Sequence, residues 1–347
     1  MEKEKVLEIK NLNVSFKTYA GISQAVRGVD FDLYRGEALA IVGESGCGKT
    51  VTSKSIMGLF NGDRQTVIDR REAEVNYQGK NLLKLGEKEM ARMRGSEISM
   101  IFQDPMSSLN PTMKIGKQIA ESILIHEQKS KEEAMAQALE MLELVRIPNA
   151  RKRLNQYPFE FSGGMRQRAM IAIALASRPK VLIADEPTTA LDVTIQAQIM
   201  ELIGSLQKDL DMSVILVTHD LGVVAGFADR IQVMYAGKIV ERGTVDEVFY
   251  EARHPYTHAL LKSVPKLSST NKGRLFSLTG TPPDMTNPPS ACPFAARCIY
   301  GMNVCREVHP KEYSFSETQS CTCWLHDERA DTTDVPDKLA EGGELLG

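Results

Sequence analysis

The eight residues Gly43-Glu44-Ser45-Gly46-Cys47-Gly48-Lys49-Thr50 constrain this chain more than any other segment. They fit the pattern G-x-x-x-x-G-K-[ST]. Before them stands a brief apolar run at 37–42 that reads as a buried strand. After them a helix is expected from about Gly48. In that strand-turn-helix setting the glycines let the backbone fold tightly around phosphate oxygens. The helix N-terminus adds unpaired N–H groups and the positive end of its dipole. Lys49 is then placed to reach the β- and γ-phosphates, and Thr50 to ligate Mg²⁺ through its hydroxyl. A glycine-rich turn with no ligand would leave this context without a reason.

A second segment completes such a site. Val181-Leu182-Ile183-Ala184-Asp185-Glu186 carries four apolar residues into a carboxylate. That places Asp185 at the C-terminal end of a buried strand, where ligands bind in open α/β sheets. Asp185 is expected to hold Mg²⁺, and Glu186 to polarise the attacking water. The run at 213–218 is β-branched and apolar, as buried parallel strands are. His219 follows it, so its ring is expected at the same edge, against the γ-phosphate or the water. His126, His254, His258, His309 and His326 stand in no comparable pattern.

The rest of the chain sorts around this core. Residues 7–16 and 24–33 read as two β-rich segments. Residues 87–176 read as helical, with a periodic Ala/Met/Leu-rich segment at 131–145. Residues 192–210 read as an amphipathic helix. Alternating strands and helices imply an α/β fold. From about Lys262 the character changes, and Pro265, Gly280, Pro282, Pro283, Pro288 and Pro289 mark an irregular segment. The stretch 327–347 is acidic and poor in apolar residues and reads as a disordered tail.

Composition excludes several classes. A chain of 347 residues with 42% hydrophobic and 25% charged residues is ordinary globular chemistry. A net charge of −3 gives no reason to expect nucleic acid as a partner. The start Met1-Glu2-Lys3-Glu4-Lys5 does not read as a secretory signal. The most apolar run, 169–176, falls far short of the ~20 residues that span a bilayer. The expectation is a cytosolic protein, or one held at a membrane through partners. Six cysteines in such a setting argue against structural disulfides.

Phe161-Ser162-Gly163-Gly164-Met165-Arg166-Gln167-Arg168 narrows the class. Ser162 is a natural N-cap, and two glycines leave backbone N–H groups accessible. One chain has no evident need for two anion-binding helix starts, whereas a composite site shared between two chains does. Here the sequence resembles the nucleotide-binding subunits of ABC transporters, from Leu7 to about Arg253. The signature matches at Ser162, Gly163 and Gly164, and Gln103 in Phe102-Gln103-Asp104 matches the Q-loop. Ala190-Leu191-Asp192 matches the D-loop and Thr218-His219-Asp220 the histidine switch. The resemblance implies an ABC cassette with a mixed sheet, an antiparallel β subdomain and a helical insertion. It implies Mg²⁺ held by Thr50, Gln103 and Asp185, with Glu186, His219 and Gln103 acting in hydrolysis. ATP contacts are implied at Gly43, Ser45, Gly46, Cys47, Gly48, Lys49, Thr50 and Val51. Cys47 is there only as a small residue that fits. Phe16 is placed to stack on adenine, with Tyr19 the alternative. Head-to-tail dimers are implied, in which Ser162, Gly163, Gly164 and Asp192 face ATP on the partner.

Phe102-Gln103-Asp104-Pro105-Met106-Ser107-Ser108-Leu109-Asn110-Pro111, the run at 192–198 and His254-Pro255-Tyr256-Thr257-His258-Ala259-Leu260-Leu261 look like the oligopeptide and dipeptide permease ATPases, most of all their D-type subunit. That branch implies an F-type partner ATPase, two transmembrane permease subunits and an extracellular substrate-binding protein. It places the chain peripherally at the cytoplasmic face of the membrane. It also includes nickel and glutathione importers. The implied division is a cassette at 1–261, a cysteine-containing extension at 262–326 and the tail. Five of the six cysteines lie between Cys292 and Cys323. Cys292, Cys298, Cys305 and Cys323 resemble the end of this branch, in which related subunits carry a [4Fe–4S] cluster. A zinc ion, or reduced thiols with no metal, are the alternatives, and Cys321 is a fifth candidate ligand. A family variant serving DNA repair would carry long coiled coils between loop and signature, and one serving translation would carry two cassettes. A P-loop kinase would leave the Ser162 segment unexplained.

Overall fold

The computed structural model describes residues 4–189, 191–263, 278–336, 339 and 344–345. Ala190 and Pro265 lie outside the described residues. Two long strands, β1 (Lys5–Thr18) and β2 (Gly21–Tyr34), open the fold as an antiparallel pair. β3 (Ala38–Val42) enters the centre and α1 (Lys49–Ile56) leaves it. β4 (Thr66–Ile68), β5 (Glu74–Tyr77) and β6 (Lys80–Asn81) then return to the first pair. This antiparallel sheet has the order β2-β1-β5-β6, with β4 also on β1.

The next stretch carries α2 (Glu87–Met93), β7 (Ile98–Ile101), α3 (Pro105–Ser108), α4 (Ile115–His126), α5 (Lys131–Leu144), α6 (Ala150–Arg153) and α7 (Gly163–Leu175). One correction belongs here. Residues 98–101 are a strand within the stretch read as helical. All four are buried, and they pair in parallel with the strand at 181–185. Helix formers on both sides mask so short an apolar run, and only its burial in a sheet explains it.

The α/β core continues through β8 (Val181–Asp185), α8 (Val193–Asp209), β9 (Ser213–Thr218), α9 (Leu221–Ala225), β10 (Arg230–Tyr235), β11 (Lys238–Thr244), α10 (Val245–Tyr250) and α11 (Pro255–Ser263). After it come α12 (Val304–Glu307), β12 (Glu312–Ser314), β13 (Ser320–Thr322) and β14 (Glu344–Leu345). The central sheet runs β14-β12-β13-β11-β10-β3-β9-β8-β7. From β10 to β7 every neighbouring pair is parallel. The extension thus adds to this sheet, because β13 pairs with β11 at Glu241↔Cys321 and Arg242↔Ser320.

Alternation along the strands explains the layers. Leu39, Ile41, Val181, Ile183, Ile215 and Val217 face one core, shared with β1, β2 and β5. Ala40, Val42, Leu182, Ala184, Val214 and Leu216 face the other, packed under the helices α4, α5, α7 and α8. A sheet covered on both faces needs strands with near-continuous apolar runs, as at 38–42, 181–184 and 214–217.

Candidate nucleotide site

Strand register decides which side chains meet. Val42 pairs with Thr218, and Asp185 pairs with Val217. Gly43, Glu186 and His219 therefore leave the sheet at one carboxyl edge, where open α/β sheets bind ligands.

The loop depends on two close backbone approaches. A Cβ on Gly43 would lie 2.1 Å from the Met234 carbonyl oxygen, and one on Gly48 would lie 2.4 Å from that of Ala25. Gly48 also has φ +110°, which side chains disfavour. Lys49 is buried and turns its ammonium into the loop, donating to the carbonyl oxygens of Gly43 at 2.8 Å and Glu44 at 3.0 Å. Cys47 is buried beside it, and burial pushes its thiol up out of the reactive range.

Thr50 Oγ1 donates to Asp185 Oδ1 at 2.9 Å, so a strand end and a helix start bring two of the expected Mg²⁺ residues side by side. Burial pushes the Asp185 carboxyl up, opposed chiefly by that hydrogen bond. Gln103 and Lys54 line the same cavity.

Glu186 collects the remaining groups. Gln103 Nε2 donates to its Oε2 at 2.8 Å, Thr189 Oγ1 donates to the same oxygen at 2.9 Å, and His219 Nδ1 lies 3.2 Å from Oε1. Burial opposes the charge of this carboxyl. The Thr189 and His219 hydrogen bonds, with the charges of His219 and Lys49, outweigh it and hold Glu186 below its ordinary range. Its backbone sits at φ +47°, a left-handed conformation that costs a glutamate about 1–2 kcal/mol. Such strain persists only where the surrounding structure fixes the residue, and here three side chains address it. Thr189 was not singled out from the sequence. Its signal is a hydroxyl three positions after the carboxylate, on the turn that closes when Thr189 N–H donates to Glu186 O at 3.2 Å.

The second helix start lies elsewhere. Ser162 Oγ accepts from Met165 N–H at 3.3 Å and caps α7. Asp192 caps α8, accepting from Ile195 N–H at 3.0 Å. The two helix starts pack together, and a Cβ on Gly164 would lie 3.0 Å from Ile195 Cγ2. Gly163 faces Leu191. Among the described residues no hydrogen bond joins Ser162, Gly163, Gly164 or Asp192 to loop 43–50 or to Glu186. Phe16 on β1 meets Phe60 edge to face at 5.4 Å, and Phe16 and Val51 each pack against the β1–β2 side of the core. Tyr19 is fully exposed at the β1–β2 turn.

The cysteines of the extension gather in one region. Cys292 N–H donates to Cys305 O at 3.1 Å. Burial pushes the thiol of Cys292 up to about 11 and that of Cys298 to about 12, and it also raises Cys323 well above the ordinary thiol range. Ionising Cys292, Cys298 or Cys305 would raise Cys323 still more, which puts the four within electrostatic reach of one another. Cys321 is buried beside Glu241 and Cys323. Among the described residues no three His, Cys, Asp or Glu side chains converge as ligands of a metal ion.

Known proteins are similar to this chain in sequence and in fold. The ABC transporter family matches residues 26–189, and the oligopeptide/dipeptide transporter C-terminal region matches residues 240–305. The dipeptide transport ATP-binding protein DppD of Bacillus subtilis is 56% identical over 94% of this chain and 97% of its own length. The oligopeptide transport ATP-binding protein OppD of the same organism is 56% identical over 96% of this chain and 93% of its own. A solved dimeric ATP-binding cassette in a post-hydrolysis state, bound to ADP and Pi, superposes with a TM-score of 0.61. It is 29% identical and covers 69% of this chain and 98% of its own. With the loop, the carboxylate pair and the signature helix in their expected elements, the chain belongs to the ABC transporter family and is an ATP-hydrolysing, ATP-binding subunit of the oligopeptide/dipeptide type.

Proposed function

We propose that this subunit binds ATP with Mg²⁺ and hydrolyses it to drive import of peptides through a membrane permease. The observation that carries the catalytic reading is the convergence of Gln103, Thr189 and His219 on Glu186. A carboxylate held in place and ionised by its neighbours is suited to accept a hydrogen bond from the attacking water and orient it. In this reading Lys49 exchanges the carbonyl oxygens of Gly43 and Glu44 for the β- and γ-phosphates. Gly43, Ser45, Gly46, Cys47 and Gly48 cradle phosphate through the backbone, Val51 adds a contact to the nucleotide, and Phe16 faces adenine. Thr50, Asp185 and Gln103 hold Mg²⁺, and His219 contacts the γ-phosphate. Ser162, Gly163, Gly164 and Asp192 act on the nucleotide of a second, F-type ATPase subunit.

Peptide as cargo rests on the names of the relatives. Two permease subunits and an extracellular substrate-binding protein complete the assembly. No helix among the described residues is long and apolar enough to cross a membrane, so attachment to its cytoplasmic face runs through the permease. Met106 is exposed on α3, and its sulfur accepts from Arg166 Nη1 at 3.0 Å, which joins the Gln103 segment to the signature helix. That surface is the one we assign to the permease.

We propose that Cys292, Cys298, Cys305 and Cys323 would hold a [4Fe–4S] cluster, since all four lie in the extension and are largely buried. Such a cluster would crosslink a segment with little core of its own. ATPase of the reconstituted complex is the test of cargo. Stimulation by peptides, and not by nickel complexes or glutathione, supports the reading, and the reverse overturns the cargo while leaving the ATPase. Anaerobically purified protein should contain iron and acid-labile sulfide, and Cys298→Ser should lose both. Wild-type protein free of iron removes the cluster.

A further inference from the structure

The extension touches the nucleotide loop directly. Arg297 lies between Cys292 and Cys298, and its side chain is only 4% exposed. It makes a two-pronged ion pair with Glu44, Nη1 to Oε2 at 2.5 Å and Nη2 to Oε1 at 2.9 Å. Glu44 is the second residue of the phosphate loop. The guanidinium is held from three sides. Its Nε donates to the Thr279 carbonyl oxygen at 3.1 Å, Nη1 lies 3.3 Å from Tyr235 Oη, and the Tyr235 ring sits 5.8 Å beneath it.

Glu44 is also tied through its backbone. Its N–H donates to Tyr256 Oη at 2.8 Å, and its carbonyl oxygen accepts from Lys49 Nζ at 3.0 Å. A continuous path therefore runs from the cysteine segment through Arg297 and Glu44 to the lysine of the phosphate site. The extension is anchored on the far side too, where Arg27 Nη2 donates to Pro289 O and Gln24 N–H to Met285 O, each at 2.8 Å. The contact is thus part of a docked surface and not one stray side chain. A bidentate arginine–carboxylate pair fixes both position and orientation, and it does so best when shielded from water.

We propose that Arg297 is a positioning residue for the phosphate loop, and that through it the cysteine segment sets the affinity of this subunit for ATP. Loosening the segment frees Glu44, and the loop then populates conformations in which its N–H groups no longer point together. Binding must first restore the competent form, which lowers apparent affinity by the fraction lost. The inference rests on the ATP-binding reading above.

The test measures binding of a fluorescent ATP analogue by wild type, Arg297→Ala, Arg297→Lys, Glu44→Gln and the Arg297→Ala/Glu44→Gln pair, each within the assembled transporter. Arg297→Ala should weaken binding about five- to tenfold, the lower range of couplings between linked sites. Its turnover at saturating ATP should stay within about twofold, since the hydrolytic groups are untouched. Arg297→Lys should recover part of the loss, and the pair should be no weaker than Arg297→Ala alone, as for two residues that act through one contact. Wild-type affinity in Arg297→Ala, even with a lowered melting temperature, overturns the proposal, because a purely structural role lowers stability alone. Additive losses in the pair also overturn it. Failure of wild type to bind ATP overturns this inference together with the reading it rests on.

Discussion

Replacing Glu186 by Gln removes one charge and almost no volume. The three neighbours remain satisfiable. Gln103 and Thr189 both address one oxygen, which an amide oxygen still offers, and the amide N–H₂ then faces His219 Nδ1. The local cost is the difference between charge-assisted and neutral hydrogen bonds, about 1–2 kcal/mol in total. Catalysis loses more. With the carboxyl held below its ordinary range, wild type is fully ionised at neutral pH. Loss of a positioned general base lowers turnover by about 10²–10⁴-fold, or about 3–5 kcal/mol in the barrier. Lys49, Thr50 and Asp185 are untouched, so ATP affinity should stay within about twofold. Phosphate release by the reconstituted complex, beside equilibrium ATP binding, reads both quantities. A turnover within threefold of wild type would refute the assignment of the water to Glu186. A matched loss of binding would place Glu186 in nucleotide affinity instead.

Three further outcomes follow from the same geometry. Gly164→Asp puts a carboxylate at a helix start where a Cβ already meets Ile195 at 3.0 Å; ATP-driven dimerisation should fail while the isolated subunit still binds ATP, and a normal dimer by light scattering would dismiss the shared site. Gln103→Ala removes one of three contacts to Glu186 and should lower transport more than basal ATPase in proteoliposomes; equal losses would mean a purely catalytic role. Glu241 is fully buried, and burial pushes its carboxyl from 4.5 up to about 7. Between those values the folded state holds a proton that the unfolded state has released, so this group stabilises below 4.5 and loses that contribution as pH rises through 7. The melting temperature of wild type minus that of Glu241→Gln should therefore shrink from pH 5 to pH 8, and a difference that grows would reverse the sign argued here.

The parts of this molecule that a reader of the sequence can find are those specified by neighbours in the chain. Loop 43–50, the carboxylate after 181–184, the Ser162 cap and the helix at 192–210 are local, and each appears in the element its pattern implies. β7 was hidden because four residues among helix formers carry too little periodicity to declare a strand. The β10–β11 hairpin was passed over as well. Its turn at Ala236-Gly237, with φ +46° and +80°, lacks the Asn-Gly form that announces such hairpins. The hub at Glu186 joins residues 83 and 33 positions apart, and Arg297 meets Glu44 across 253. Contacts of that span leave no periodic trace, and only the folded sheet brings them together. Burial of Glu241 has the same origin, since an acidic residue on β11 reads as exposed until β13 covers its edge.

That β11–β13 pairing also sets an order of events during synthesis. Strands β3, β8, β9 and β10 are complete once Tyr235 has been made, but β11 keeps one row of N–H and C=O groups unpaired until Ser320–Thr322 arrives. An open edge of this kind invites pairing with another nascent chain. Translation proceeds at about 5–20 residues per second, so the roughly 80 residues between β11 and β13 leave the edge bare for several seconds on each ribosome.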